Sequence, residues 1–452
     1  MGYSSMFMVT EDGDLSVYGS NYFGQLGIDG TDKVEHPTLI DKRAFGGCDV
    51  VMVSAGLLHS ACVTSTGKLW MWGRGLFREQ LAPTQSRVPM QVFPLSPVLM
   101  VACGDAFTMI LTRAKEIWTC GEGDHGQLGH NDTGSRTEFT LIDQERFGDG
   151  ATVKMIAVGY LHSMAITQTA AGDDTLWTWG KNHTGELGRG NISGGQLVPV
   201  AIPATTFGGT YPVSMDGGGH HTLVVTADGS LWSCGGNHCG QLGLHRDMLE
   251  ALALSPVTTL QRVVGPDFAD GRGVLMTACG SHHSVVLCKN QTVWVCGLCT
   301  TLLGRTTREE YTWALTLIDP ALFAHKAILL VAAGPPGCGV VTEDGGVFLW
   351  GDVVPNMHAP KLHARIGRWH DLREEDTLAF VMMQDARLGA SASVVARSLD
   401  DDLLRWMFCN MHFRPRADTP RGLHNLMGRR PVRRVAALDL EAPVVLDDDD
   451  EE

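Results

Sequence analysis

The chain lacks a long apolar run, a surplus of positive charge and closely spaced cysteines, and each absence removes a class of protein. No stretch approaches the roughly 20 consecutive apolar residues that a membrane-crossing helix needs, so no membrane association is expected. The opening MGYSSMFMVT has no basic region followed by an apolar one and does not read as a secretory signal, and Met6 breaks the myristoylation pattern that Gly2 would begin. The net charge is -15. Non-specific affinity for nucleic-acid phosphates comes from Lys and Arg releasing counterions, so direct nucleic-acid binding is not expected either. The 12 cysteines are scattered from Cys48 to Cys409, unlike a small secreted disulfide scaffold, which predicts reduced thiols and an intracellular home, cytoplasmic or nuclear. Cys296 and Cys299 form one C-x-x-C with no second pair to complete a zinc site. Neither a G-x-S-x-G elbow nor a G-x-x-x-x-G-K-[ST] phosphate loop occurs. No catalytic residue, cofactor or metal ligand is therefore assigned, and the chain is expected not to be an enzyme.

What the chain has in excess is glycine, 54 residues of it. At 452 residues it also exceeds the roughly 250–300 that one core usually supports, which turns attention to repeats. One pattern returns seven times, most clearly as GYLHSMAITQTAAGDDTLWTWGKNHTGELG and GGHHTLVVTADGSLWSCGGNHCGQLG. The glycine that closes each W-x-W-G segment stands at Gly19, Gly73, Gly121, Gly180, Gly235, Gly297 and Gly351, so neighbouring copies are between 48 and 62 residues apart. Each unit reads as four short strands: a run such as VLMVACG, then HSACVT, then KLWMWG, then a weaker run such as VPMQVF after the glycine loop. Four-stranded sheets repeated in a circle make a propeller. The first run ends in small residues, as in Ser54-Ala55-Gly56 and Ala332-Ala333-Gly334. Crowding near an axis predicts that this run is the innermost strand.

The motif G-x-x-H-S/T, then G-x-L-W-x-W-G, then G-Q-L-G resembles the repeat of the regulator of chromosome condensation family over residues 2–364. The resemblance implies an all-β fold, a seven-bladed β-propeller of four-stranded blades, closed by a C-terminal strand. Because the repeat opens at Gly2, past the innermost strand, blade one needs a strand from elsewhere. VRRVAAL (432–438) follows the innermost pattern, and Val432 to Ala437 is predicted to close the ring. Residues 365–431 form an insertion, with a helix expected near 399–411 behind Ser398 and Asp401; EEDTLAFVMMQ (374–384) fits helix or strand. Residues 439–452 are an acidic tail, expected to be disordered.

Four repeats carry His59, His162, His221 and His283. Equivalent positions in different blades are too far apart to share an ion, so these histidines are expected to hydrogen-bond backbone at blade junctions. The loop GNHCGQLG (236–243) has the composition of a binding loop. Its counterparts are SNYFGQLG, EGDHGQLG and KNHTGELG. What persists is Gly24, Leu26 and Gly27; Gly126, Leu128 and Gly129; Gly185, Leu187 and Gly188; Gly240, Leu242 and Gly243. These read as a structural corner, with glycines making the turn and leucine filling the seam between blades. The positions in front of the glycine vary.

Candidate partner-binding residues are the charged groups beyond the repeats: Arg414, Arg416, Arg421, Arg429 and Arg430 on one side, Asp447, Asp448, Asp449 and Asp450 on the other. Photoreceptors of the family place tryptophan and arginine in the two positions before the repeat histidine; here these hold Leu57-Leu58, Tyr160-Leu161, Gly219-His220 and Ser281-His282, so photoreception is not expected. The family also includes guanine nucleotide exchange factors, in which a loop after the W-G segment carries an inserted wedge. The matching loop here, residues 73–89, is compact. The resulting expectation is a protein–protein interaction scaffold or regulatory propeller whose partner is another protein, with exchange on a small GTPase as the alternative.

Overall fold

The computed structural model describes residues 4–10, 12–30, 33–74, 85–92, 96–244, 256–264, 273–298, 311–334, 337–351, 361–365 and 380–385. Seven four-stranded antiparallel sheets make up the ring. Blades two to seven span residues 50–92, 98–141, 152–201, 212–262, 274–317 and 328–365, each running from its first to its fourth strand in chain order. The first strands of successive blades pack against one another around the whole ring, which makes them the innermost layer. The small residues that predicted this are buried there, with Ser54 at 0% and Ala332 at 4% exposure. Second strands such as His59–Thr64 and His221–Thr226 are buried along their full length, because neighbouring blades cover both faces. Fourth strands such as Lys33–Ile40 are largely exposed.

Blade one confirms the need for a borrowed strand and corrects its source. Ser4–Val9 pairs with Leu15–Ser20 on one side and with Phe380–Asp385 on the other, in antiparallel register from Ser5 opposite Gln384 to Val9 opposite Phe380. The ambiguous stretch around residues 374–384 thus contributes a strand. It occupies the place for which Val432 to Ala437 was expected. Those residues, the helix expected near 399–411, all five candidate arginines and the four candidate aspartates lie outside the described residues.

The links between blades carry a device that the repeat pattern did not reveal. Short 3-10 turns at Lys42–Phe45, Gln144–Phe147, Ala204–Phe207 and Pro320–Phe323 each end in a buried phenylalanine. Asp41, Asp143 and Asp319 cap three of them by accepting from the backbone N–H two residues on. Phe45, Phe147 and Phe207 meet Trp70, Trp177 and Trp232 of the next blade edge-on, with ring centroids 5.5 to 6.0 Å apart. These three tryptophans are only partly buried, whereas Trp72 and Trp179, two positions further along, are at 0%. Each phenylalanine thereby pins the outer part of one blade to its neighbour. Burying such a ring contributes on the order of 2–3 kcal/mol.

Candidate functional site

Hairpin alternation puts the G-x-x-H loops and the G-Q-L-G loops at the same end of a blade, and among the described residues this loop face gathers several histidines, a buried carboxyl and a buried thiol. Its frame is built identically in several blades. In the loops with asparagine at the second position, Asn21, Asn182 and Asn237 accept from the N–H of Leu26, Leu187 and Leu242 at 3.0 to 3.2 Å. The side chains of Gln25, Gln127, Glu186 and Gln241 accept from the N–H two residues earlier, at Phe23, His125, Thr184 and Cys239. All four leucines are at most 1% exposed. At Gly240, φ is 83° and an added Cβ would stand 2.5 Å from the Thr312 carbonyl of the next blade, so any side chain is barred. GNHCGQLG is a corner, as the sequence indicated.

The backbone carbonyl of the Gln or Glu then receives two donors from the following blade. Gln25 accepts from the Ser60 hydroxyl at 2.9 Å and the Trp72 indole at 2.8 Å, and Gln127 from Ser163 at 2.8 Å and Trp179 at 3.0 Å. For Glu186 the donors are Thr222 at 2.7 Å and the Cys234 thiol at 3.5 Å; for Gln241 they are Ser284 at 2.7 Å and Cys296 at 3.5 Å. The repeat histidines join this network. His162 Nε2 lies 3.0 Å from the Thr222 hydroxyl, His221 Nε2 2.9 Å from Ser284 and His59 Nε2 2.9 Å from Thr108. Their partner is a side-chain hydroxyl of the next blade, not the backbone expected from the sequence. Because the single proton of Thr222 or Ser284 points to a carbonyl, the imidazole must donate, which selects the neutral Nε2–H tautomer. Burial pushes all four imidazoles down, His59 and His283 to about 4, His162 and His221 also below the ordinary value. His283 differs in that Gly337-Cys338 stands where the other blades offer hydroxyls, so that its ring faces the Gly337 backbone instead of a side-chain hydroxyl.

On this frame stand two groups of variable side chains. The first is the loop tips: Tyr22, Asp124, His183 and His238 are all exposed at the same position of blades one, three, four and five. The second is a stripe at the inner rim, made by the residues just before the repeat histidine. Its loops are tied together by backbone bonds, Leu57 N–H to the Asp105 carbonyl, Asp105 N–H to that of Tyr160 and Tyr160 N–H to that of Gly218 at 3.0 to 3.1 Å. Along it, burial raises the Asp105 carboxyl to about 6, and burial together with the Asp105 charge pushes Tyr160 up to about 12. The Tyr160 ring lies 6.0 Å from His220, and His220 lies 6.2 Å from His282. His282 in turn meets the loop tip His238 at 4.9 Å, edge to face. His238, Cys239 and His282 bring their ligating atoms within 4.8 Å of one another. In the sequence His238 and Cys239 are variable corner positions with no chemical role shared between copies, and His282 appears only as the residue before a repeat histidine. The only signal was the doubled histidine at His220-His221 and His282-His283, whose first member is not the repeat histidine.

A closed ring of seven blades whose seams are knitted by glycine-loop carbonyls defines a repeat propeller with a rigid frame and variable tips. Residues 1–334 match the family model described as the RCC1-like domain; the chain belongs to that family. Over 300 residues it is 29% identical to the human (Homo sapiens) E3 ubiquitin-protein ligase HERC2, a match covering 66% of this chain and 6% of that one, so the chain spans a small part of that relative. Over 363 residues it is 26% identical to the guanine nucleotide exchange factor SRM1 of Saccharomyces cerevisiae, covering 75% of this chain and 68% of that one. The crystal structure of Prp20p from Saccharomyces cerevisiae, described with its binding properties to Gsp1p and histones, superposes with a TM-score of 0.63 at 22% identity, over 79% of this chain and 82% of that one. Among the described residues, no helix is long and apolar enough to cross a membrane.

Proposed function

We propose that this propeller is an intracellular protein-interaction module that reads its partner with the loop face and carries no reaction of its own. The observation behind this reading is the division of labour within each loop: the Asn and Gln or Glu side chains fix the turn and one backbone carbonyl ties it to the next blade, while the residue at one fixed exposed position changes from aromatic (Tyr22) to acidic (Asp124) to imidazole (His183, His238). A rigid array with differing side chains at equal spacing suits recognition of another protein's surface. The match to a small part of a large ligase fits the same use, a propeller acting as one module among others. Ten described cysteines carry free thiols, nine of them buried, which fits a reducing compartment.

The second reading is nucleotide exchange on a small GTPase, supported by the likeness to SRM1 and Prp20p. One experiment addresses both. Partners are recovered with the full chain, with Asp124→Lys/His183→Glu on the loop face, and with Arg113→Glu on the opposite face. Loss of binding only in the loop-face variant is expected, and loss only in Arg113→Glu overturns the assignment of the face. Recovery of a nucleotide-free GTPase, with accelerated nucleotide release on adding the chain, establishes exchange in place of the scaffold reading.

A further inference from the structure

The chemistry at the junction of blades five and six goes beyond a corner. His238 and Cys239 project from the glycine loop of blade five, and His282 from the G-S-H-H loop of blade six. Two imidazoles and a thiol have their ligating atoms within 4.8 Å of one another. The backbone beneath them is held, since the Cys239 N–H donates to the Gln241 side chain at 3.0 Å and the Leu242 N–H to Asn237 at 3.0 Å. Cys239 is 6% exposed, and His282 is half-buried with its Nδ1 shielded from solvent and without a hydrogen-bond partner. A buried ring nitrogen without a partner is a cost that bound metal would remove. The neighbouring His220 Nδ1 is in the same condition, and its ring lies 6.2 Å from His282 at 33°.

We propose that His238, Cys239 and His282 form a transition-metal site, best suited to Zn²⁺, that clips blade five to blade six on the loop face. Nitrogen and thiolate donors match a borderline ion, and the absence of a carboxylate among the three disfavours Ca²⁺ and Mg²⁺. Metal–nitrogen bonds of about 2.0–2.1 Å and a metal–sulfur bond of about 2.3 Å require donors about 3.5 Å apart, which modest side-chain rotation from the observed spacing supplies. Binding converts the Cys239 thiol to a thiolate and releases its proton to solvent. Three protein donors leave a fourth position, and exposed His238 sets it at the solvent side, where water or a partner's side chain completes the tetrahedron. His220 is a positioning residue that packs beside His282. The proposal is independent of which protein the loop face recognises.

The test uses the full chain, purified reduced and stripped with a chelator, and titrated with Zn²⁺ and with Co²⁺ as a spectroscopic stand-in. One equivalent of Co²⁺ is expected to give a thiolate-to-cobalt charge-transfer band and tetrahedral visible bands, both bleached by Zn²⁺. Cys239→Ser is expected to abolish the charge-transfer band, and His282→Ala to weaken Zn²⁺ binding at least about tenfold, with the metal-free thermal unfolding of both variants close to that of the parent chain. In the unmodified chain, Zn²⁺ is expected to protect Cys239 from alkylation, read by peptide mass spectrometry, a measurement that needs no variant to fold. A Co²⁺ spectrum without a thiolate band, Zn²⁺ affinity unchanged in Cys239→Ser, or alkylation of Cys239 indifferent to Zn²⁺ each overturns the proposal.

Discussion

The seam between blades three and four and the seam between blades four and five solve the same problem with different chemistry. In the first, Phe107 fills the repeat-histidine position and the Trp179 indole donates to the Gln127 carbonyl beside Ser163. In the second, His162 donates to Thr222, Thr222 donates to the Glu186 carbonyl, and the smaller Cys234 stands where the tryptophan would be. Seam one to two, with Ser5 and Trp72, follows the first plan, and seam five to six, with His221 and Cys296, follows the second. Both plans deliver two donors to one loop carbonyl. They differ in that only the second contains an imidazole, which burial keeps neutral in the fold and which takes up a proton near its ordinary value once unfolding exposes it. One fold therefore holds acid-sensitive and acid-insensitive seams side by side.

The largest expected effect comes from breaking a tryptophan seam. Trp179 is fully buried against Phe147, so Trp179→Ala removes packing and a donor together and is expected to lose about 3–5 kcal/mol in chemical denaturation. A loss under about 1 kcal/mol would show that indole and thiol seams are equivalent. Next is acid. The unfolded chain binds a proton on each histidine near 6.5, whereas His59 and His283 in the fold do so only at about 4. Protonation therefore favours unfolding, and stability falls as pH drops from about 6.5 towards 4, by as much as about 3 kcal/mol for each such histidine. At pH 5 the seam thiols Cys234 and Cys296 are expected to react with a dithiopyridine reagent while the emission of Trp72 and Trp179 stays native. Simultaneous change of both signals would mean that the seams do not differ.

His221→Phe imports the blade-three solution into blade five. It is expected to cost about 1 kcal/mol at pH 7 through the lost hydrogen bond and to flatten the acid limb of the stability curve; an unchanged acid limb would remove His221 from the account. The smallest effect concerns the tips. Tyr22→Ser is expected to shift stability by less than about 0.5 kcal/mol while weakening partner binding, whereas Asn237→Ala in the frame should cost about 1 kcal/mol. Equal effects on stability would erase the distinction between frame and tip.

Much of this was readable from the order of residues. The number of blades, the innermost strand and the corner role of Gly240, Leu242 and Gly243 follow from periodicity, because each copy meets the same local geometry. The hydroxyl partner of the histidines was also written in the chain as the Ser or Thr after the next repeat position, in Phe107-Thr108, His221-Thr222 and His283-Ser284, although the sequence alone pointed to backbone. The aspartate-capped turns ending in Phe45, Phe147 and Phe323 were present as D-x-x-x-F and passed unnoticed beside the stronger glycine signal. Closure of the ring was misread for a physical reason: an edge strand is recruited through backbone hydrogen bonds, which Phe380–Asp385 supplies as well as any sequence shaped like the innermost run.

What the sequence by itself determined is everything repeated, since strand, turn and cap preferences act over a few residues and recur whenever the motif does. Only the tertiary structure decided which segment closes blade one and that His238, Cys239 and His282, 44 residues apart at their extremes, bring their ligating atoms within 4.8 Å of one another. Those outcomes depend on how one blade is rotated against the next, and that rotation is set by packing across the seams, which no single repeat encodes.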